Sequence, residues 1–252
     1  MRYSVILLGL LIIFTSCKSL LVLSDVEREN IQNEPTFYLP DSSIVLLVAP
    51  YKLNLDEDMS KVISVSTEEL TKARPESKLT NLMADLLMQE SILYINKNDE
   101  NIVPDMAFVN YGGLRTSLPK GKITVGNIFE LMPFENEMIL LKLSGETMEQ
   151  FVRQVAERGG DGISGVKLGI KDDQIAYCTI GGKPFNKDRD YWLVTNDYVA
   201  MGGDDMKMLL NRKEYLKTGL RIRDLIIENL SKRHQAGEDI QVQLDGRIYY
   251  EQ

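Results

Sequence analysis

Asn110-Tyr111-Gly112-Gly113-Leu114-Arg115, then Gly121-Lys122-Ile123-Thr124, then Pro133-Phe134-Glu135-Asn136 follow one another within the stretch Asn110–Asn136. The apolar run Met106–Val109 before them predicts a short strand that enters the Gly-Gly turn directly. Two glycines let the backbone bend tightly and approach a ligand with no Cβ in the way. Arg115 then projects a planar, permanently charged fork from a fixed place, suited to a phosphate or carboxylate. Further on, Pro133-Phe134 lifts an aromatic ring out of a loop. The stretch is a candidate site for an anion attached to a flat ring.

Working outward, the flanking sequence predicts an α+β fold: a mixed β-sheet flanked by helices. Upstream, Val62–Ser66 alternates like a strand, and Leu79, Leu82, Met83, Leu86 and Leu87 recur at helical spacing. Asp85 on that helix reads as a solvated acid. Downstream, Val125–Leu131 predicts a short helix capped by Thr124. Met138–Leu143 is nearly continuous apolar sequence, the pattern of a strand buried on both faces. Ser144-Gly145 opens a helix that Gly159-Gly160 ends. Ile163–Ile170 and Gln174–Ile180 flank Lys171-Asp172-Asp173 as a hairpin. Tyr191–Thr195 predicts a strand leading to Asn196-Asp197-Tyr198 and Gly202-Gly203-Asp204. Ile222, Leu225, Ile226 and Leu230 mark a last helix, with Thr218 as its expected cap. The apolar run Ile44–Ala49 before Pro50 reads as a helix kinked at its end or as a strand, with the helix favoured.

Composition narrows the function classes. The chain has 252 residues and a net charge of −8, without a long basic run, which disfavours general nucleic-acid binding. A single histidine, His234, is too few for a histidine-rich two-metal centre, although a carboxylate-only Mg²⁺ or Ca²⁺ site stays open. His234 reads as a solvated helix-end residue and Cys178 as a buried apolar filler.

The amino terminus reads as an address. Arg2 and the short apolar run Val5–Phe14 predict a signal peptide over residues 1–16. Thr15-Ser16-Cys17 resembles a bacterial lipoprotein signal, with Cys17 the lipidation site and residues 17–42 a tether; a plain signal peptide with an incidental cysteine is the alternative. The expected location is the bacterial cell envelope, lipid-anchored at the membrane. Residues 43–59 are expected to form a linker helix or extension, and residues 60–252 the main domain.

Taken singly, each motif has a plain structural reading: a tight turn at Gly112 and Gly113, a surface ion pair at Arg115, a core plug at Phe134, a helix stop at Gly202-Gly203-Asp204. Together they suggest more. If the strand-end turns converge, Phe134 and Tyr198 could sandwich a base, Arg115 could take a phosphate and Asp204 could accept hydrogen bonds from ribose hydroxyls.

The ordered set Asn110-x-Gly112-Gly113-x-Arg115, Gly121-x-Ile123-Thr124, Pro133-Phe134-x-Asn136, Leu143-x-Gly145 and Gly202-Gly203-Asp204 resembles the C-terminal, substrate-binding domain of the bacterial 5′-nucleotidase and UDP-sugar hydrolase family. The resemblance covers about residue 60 to 252. It implies that Asn110 holds ribose or shapes the loop, that Arg115 binds phosphate, and that Phe134 and Tyr198 stack on opposite faces of a base. Tyr198 stands where the family usually has phenylalanine. It implies that Asp204 binds ribose, with Asn136, Gly112, Gly113 and Gly203 in the same motifs and Arg74 near a further phosphate-binding arginine. In the family, catalysis belongs to an N-terminal metallophosphatase domain with two metals, whose histidine- and aspartate-rich motifs do not occur here. This chain is therefore expected to contribute no catalytic residue and no metal ligand. Divalent metals are expected only in a separately encoded metallophosphatase partner. The alternatives are a nucleotide- or nucleoside-binding envelope lipoprotein without catalysis, and a scaffold that reuses the fold.

Overall fold

The computed structural model describes residues 41–251. The expected signal peptide, Cys17 and almost all of the tether lie outside the described residues. The chain divides into two units that part between Val48 and Ala49. The sheets and the candidate site all belong to the second.

Helix α1 (Ser42–Ser60) continues through Pro50 instead of ending there, and none of its residues is buried. Strand β1 (Val62–Ser66) follows, then α2 (Lys78–Lys97). Ser77 and Thr80 form a reciprocal capping box at the start of α2. Next come β2 (Met106–Val109), a single 3-10 turn over Tyr111–Gly113, β3 (Gly121–Thr124) and α3 (Val125–Leu131). Thr124 caps α3, paired with Asn127 in a second capping box. Strand β4 (Glu137–Leu143), helix α4 (Gly145–Glu157), and strands β5 (Gly162–Ser164), β6 (Val166–Lys171), β7 (Gln174–Ile180), β8 (Lys183–Pro184) and β9 (Tyr191–Asn196) carry the chain to the short helix α5 (Asp197–Ala200). Strand β10 (Glu214–Arg221), α6 (Ile222–Gln235) and β11 (Ile248–Tyr250) complete it.

The central sheet has five strands in the order β10-β4-β9-β2-β5. It is mixed: β2 and β9 are parallel, and the other pairs are antiparallel. Its faces bury separate cores. Ala107, Val109, Met138, Leu140 and Val194 face the cluster that includes α2 and α6. Phe108, Ile139, Leu141, Leu143 and Leu193 face the cluster that includes α4. Alternate residues of β2 and β4 thus go to opposite cores, as a strand covered on both sides requires. The strands β11-β6-β7-β8 form a second sheet, and β1 pairs with β3 in a third.

Several expectations need correction. Thr218 does not cap the last helix; it lies inside β10, where its hydroxyl donates to the Met138 carbonyl at 2.7 Å. The residue at the α6 N-cap is Arg221, with no side-chain cap bond. The strand expected over Ile163–Ile170 divides at Gly165, whose φ is +78° and where an added Cβ would stand 2.5 Å from the Asp105 carbonyl oxygen. Asp85 is not a free solvated acid. It receives a two-pronged ion pair from Arg247, at 2.7 and 2.9 Å. His234 does sit at the end of α6, but its Nδ1 lies 2.7 Å from Asp239 Oδ1.

Candidate functional site

Sheet topology dictates where the motif loops meet. The parallel neighbours β2 and β9 both end at one edge of the sheet, delivering Asn110 and Asn196 there. Strand β4 runs antiparallel to β9, with Met138 opposite Asn196, so Pro133–Asn136 arrives at that same edge just before β4 begins. Carboxyl ends of parallel strands are a favoured place for ligand crevices in α/β sheets.

The loops enclose a cavity of about 300 Å³ lined by Asn110, Gly112, Gly113, Arg115, Phe134, Asn136, Tyr198 and Asp204. Those are eight of the ten residues expected from sequence. Gly203 and Arg74 do not line it. Gly203 lies against the Tyr198 ring, where an added Cβ would come within 2.5 Å of Cε1 and Cζ. Arg74 sits behind the Gly-Gly turn, over the Tyr111 ring at 4.6 Å from the centroid and 3.8 Å from the Asp161 carboxylate.

One wall is a hydrogen-bonded polar frame. Asn110, only 4% exposed, donates from Nδ2 to Asp204 Oδ2 at 2.6 Å. Its Oδ1 accepts from Asn196 Nδ2 at 3.0 Å, and Asn196 Oδ1 accepts from the Val199 amide, capping α5. Gly113 must be glycine: a Cβ there would stand 2.8 Å from Asn110 Oδ1. The Tyr111 amide donates to Asp161 Oδ1 at 2.7 Å. The Arg115 amide donates to the Leu131 carbonyl at 2.8 Å, fixing the base of that side chain, and its exposed guanidinium donates to the Gly112 carbonyl at 3.4 Å.

The other wall is apolar. Phe134 is 46% exposed and Tyr198 49% exposed, although both rings line the cavity. The Arg115 guanidinium lies 6.0 Å from the Phe134 ring centroid. The Phe134 loop is held from beneath. The Ile222 amide donates to the Asn136 carbonyl at 2.9 Å, and Arg223, 5% exposed, reaches the Met132 and Phe134 carbonyls at 3.4 and 3.5 Å while stacking on Phe129.

Four supporting residues escaped the sequence reading. Arg158 donates to the Asp204 carbonyl at 2.7 Å, and its Nε stands 3.1 Å from Asp161 Oδ2 as an ion pair without hydrogen-bond geometry. Burial pushes the Asp161 carboxyl up, against the opposing pull of the Tyr111 amide, Arg158 and Arg74. Arg158-Gly159-Gly160-Asp161 was legible as a helix end; an acid directly after the Gly-Gly pair was the available signal. Lys72 donates to the Tyr111 carbonyl at 3.1 Å and to the Leu114 carbonyl at 2.5 Å. Burial, then repulsion from Arg115 and Arg74, hold its ammonium below the ordinary lysine range. Nothing in the local sequence marks Lys72 or Arg223.

Two exposed rings, a guanidinium and a carboxylate around a small cavity are groups suited to a flat, apolar part and to polar or anionic parts of a small molecule. Residues 59–211 match the model of the 5′-nucleotidase C-terminal domain, and the chain belongs to that family. It is 26% identical over 238 residues to Protein UshA of Yersinia enterocolitica, covering 89% of this chain and 41% of that protein. It is 23% identical over 197 residues to a 5′-nucleotidase of Vibrio vulnificus, covering 76% of this chain and 34% of that protein. Among solved structures, the 5′-nucleotidase precursor of Thermus thermophilus shares the fold with a TM-score of 0.67 at 22% identity, over 84% of this chain and 44% of that one. The chain thus spans less than half the length of the relatives it matches.

Proposed function

We propose that this chain binds the nucleoside part of a nucleotide, as the substrate-binding component of a split 5′-nucleotidase-type phosphohydrolase whose metallophosphatase is encoded separately. The observation that carries the reading is the meeting of Phe134, Tyr198, Arg115 and Asp204 around one cavity from three separate loops. In this reading the rings take opposite faces of a base, Asp204 accepts from the ribose, and Arg115 binds the phosphate. Aromatic stacking tolerates many bases, at roughly 1–3 kcal/mol each. A metal-assisted displacement needs ligands for its metals, and this reading assigns them to the partner. Gly203 acts by seating the Tyr198 ring, and Arg74 acts from behind Tyr111 as an outer cation near the phosphate.

The test has two arms. Calorimetry with AMP, UMP and adenosine should show binding that Phe134→Ala and Tyr198→Ala both weaken; affinity unchanged in both variants refutes the site. Mixing with a metallophosphatase captured from the native envelope should raise metal-dependent nucleotidase activity. Binding without any such gain supports the second reading, a nucleotide-binding envelope lipoprotein without catalysis.

Export and a lipid anchor at Cys17 are part of the proposal, motivated by Arg2, the apolar run after it and Thr15-Ser16-Cys17. No described helix is long and apolar enough to cross a membrane. Mass spectrometry of the mature amino terminus decides the point: diacylglyceryl-modified Cys17 supports the anchor, and an unmodified terminus elsewhere removes it.

A further inference from the structure

Tyr198 carries a hydroxyl at a position where ring stacking alone would be served by phenylalanine, and that hydroxyl both donates and accepts. It donates to Asp204 Oδ1 at 3.1 Å and accepts from the Asp204 amide at 3.3 Å. The other carboxylate oxygen, Oδ2, is taken by Asn110 Nδ2 at 2.6 Å. The backbone beneath is equally fixed: Asp204 sits in the left-handed region at φ 51° and ψ 39°, with its carbonyl held by Arg158 at 2.7 Å. Each carboxylate oxygen therefore has one hydrogen-bond partner from the protein. A carboxylate has about four lone-pair positions, so one remains at each oxygen of a side chain that lines the cavity. Two acceptors side by side match two adjacent hydroxyls.

The geometry points to Tyr198 as the specificity-determining residue for the sugar: its hydroxyl locks the Asp204 carboxylate so that the pocket selects ligands with an intact 2′,3′-cis-diol. This deepens the nucleotide reading above and rests on it. The ring half of Tyr198 takes the base and the hydroxyl half orients the acid that takes the ribose, so one side chain couples the two subsites. Gly203 completes the device. Its lack of a Cβ lets residues 203 and 204 lie close against the ring, which brings the Asp204 carboxylate within reach of the hydroxyl. With phenylalanine in place of Tyr198, Asn110 alone would make a direct hydrogen bond to that carboxylate; the nearest guanidinium contact, Arg158 to Oδ2, is 3.9 Å.

The experiment is calorimetry on the full chain with AMP, 2′-deoxy-AMP and 3′-deoxy-AMP, comparing wild type, Tyr198→Phe, Asp204→Ala and the double variant. The readout is the ratio of deoxy to ribo dissociation constants, which a general loosening of the fold does not move. A hydrogen bond to a charged acceptor corresponds to a preference of about tenfold for AMP in the wild type. Tyr198→Phe should collapse that ratio to about twofold or less, less than one net hydrogen bond. Asp204→Ala should abolish it, and adding Tyr198→Phe to Asp204→Ala should change the ratio no further. A ratio unchanged by Tyr198→Phe overturns the inference, as does a larger one, which would mean that the hydroxyl competes with the sugar. Wild type that binds AMP and 2′-deoxy-AMP equally refutes this inference and leaves the nucleotide reading standing. Wild type that binds none of the three ends both.

Discussion

The two walls of the cavity are built by opposite means. Along the Asn110–Arg115 turn, polar groups are buried: Asn110, Asn196 and Asp161 are 4%, 3% and 2% exposed, and each is hydrogen-bonded to another loop, with Asp161 Oδ2 held only by its ion pair to Arg158. Phe134 and Tyr198, by contrast, leave about half their surface in water. The first wall is stabilised by its own network and cannot move without leaving buried groups unpaired, which costs about 1–3 kcal/mol each. The second gains by covering its rings, at roughly 25 cal/mol per Å² of apolar surface removed from water. The difference teaches a division of labour. In the proposed function the polar frame would fix where a charge and a hydroxyl sit before any ligand arrives, and the rings would supply affinity for a flat group between them.

The largest expected effect breaks the frame. Asp161→Ala leaves Arg158 without the nearer of its two acidic partners and the Tyr111 amide without its acceptor, and should lower stability by about 3 kcal/mol in chemical denaturation. Nucleotide affinity should fall with it, because the same arginine holds Asp204. An Asp161→Ala protein as stable as wild type would mean the frame is ornamental.

Breaking the other wall should separate binding from stability. Phe134→Ala and Tyr198→Ala should each weaken AMP by roughly 1–3 kcal/mol in calorimetry, while the unfolding free energy stays within about 0.5 kcal/mol for Phe134→Ala and falls by about 1 kcal/mol for Tyr198→Ala, which also loses its hydrogen bonds to Asp204. Large stability losses in both would instead make the rings structural.

Arg115 lies at the seam between the walls, with its amide in the frame and its guanidinium beside Phe134. Arg115→Ala should weaken AMP about tenfold while leaving adenosine nearly untouched, as expected for loss of one charged hydrogen bond. The gap between the two ligands should narrow in high salt. Equal losses for both would remove the phosphate role.

The smallest effect lies away from both walls. Cys178, on β7, has its thiol pushed up to about 11 by burial. The neutral thiol should persist through pH 8, so peptide mapping after iodoacetamide should show slow modification of Cys178 in the folded protein and fast modification in denaturant. Fast labelling of the native chain would show that the hairpin opens readily.

Local rules made much of the fold legible. Thr124 caps a seven-residue helix as expected, and Met138–Leu143 is covered on both faces because its apolar run leaves no side for water. What stayed hidden depends on partners far along the chain. Strand β10 is an edge strand with a mostly exposed surface, so Glu214–Arg221 carries almost no apolar alternation, and Thr218 looked like a cap. Strand β11 exists only by pairing in parallel with β6. Asp85 found its arginine at position 247. The cavity residues were legible because glycine pairs, an arginine and strand-end aromatics are local signatures; Lys72, Arg158, Asp161 and Arg223 were not, because they act by holding backbone from outside the cavity. The convergence of the loops could be inferred, but only the sheet order shows why it happens: parallel β2 and β9 end together, and β4 starts beside them.

The most direct measurement is a crystal structure of this chain grown with AMP. The proposed site predicts the adenine between Phe134 and Tyr198, the ribose hydroxyls on Asp204 and the phosphate facing Arg115. AMP bound elsewhere, or one ring turned away from the base, would contradict it.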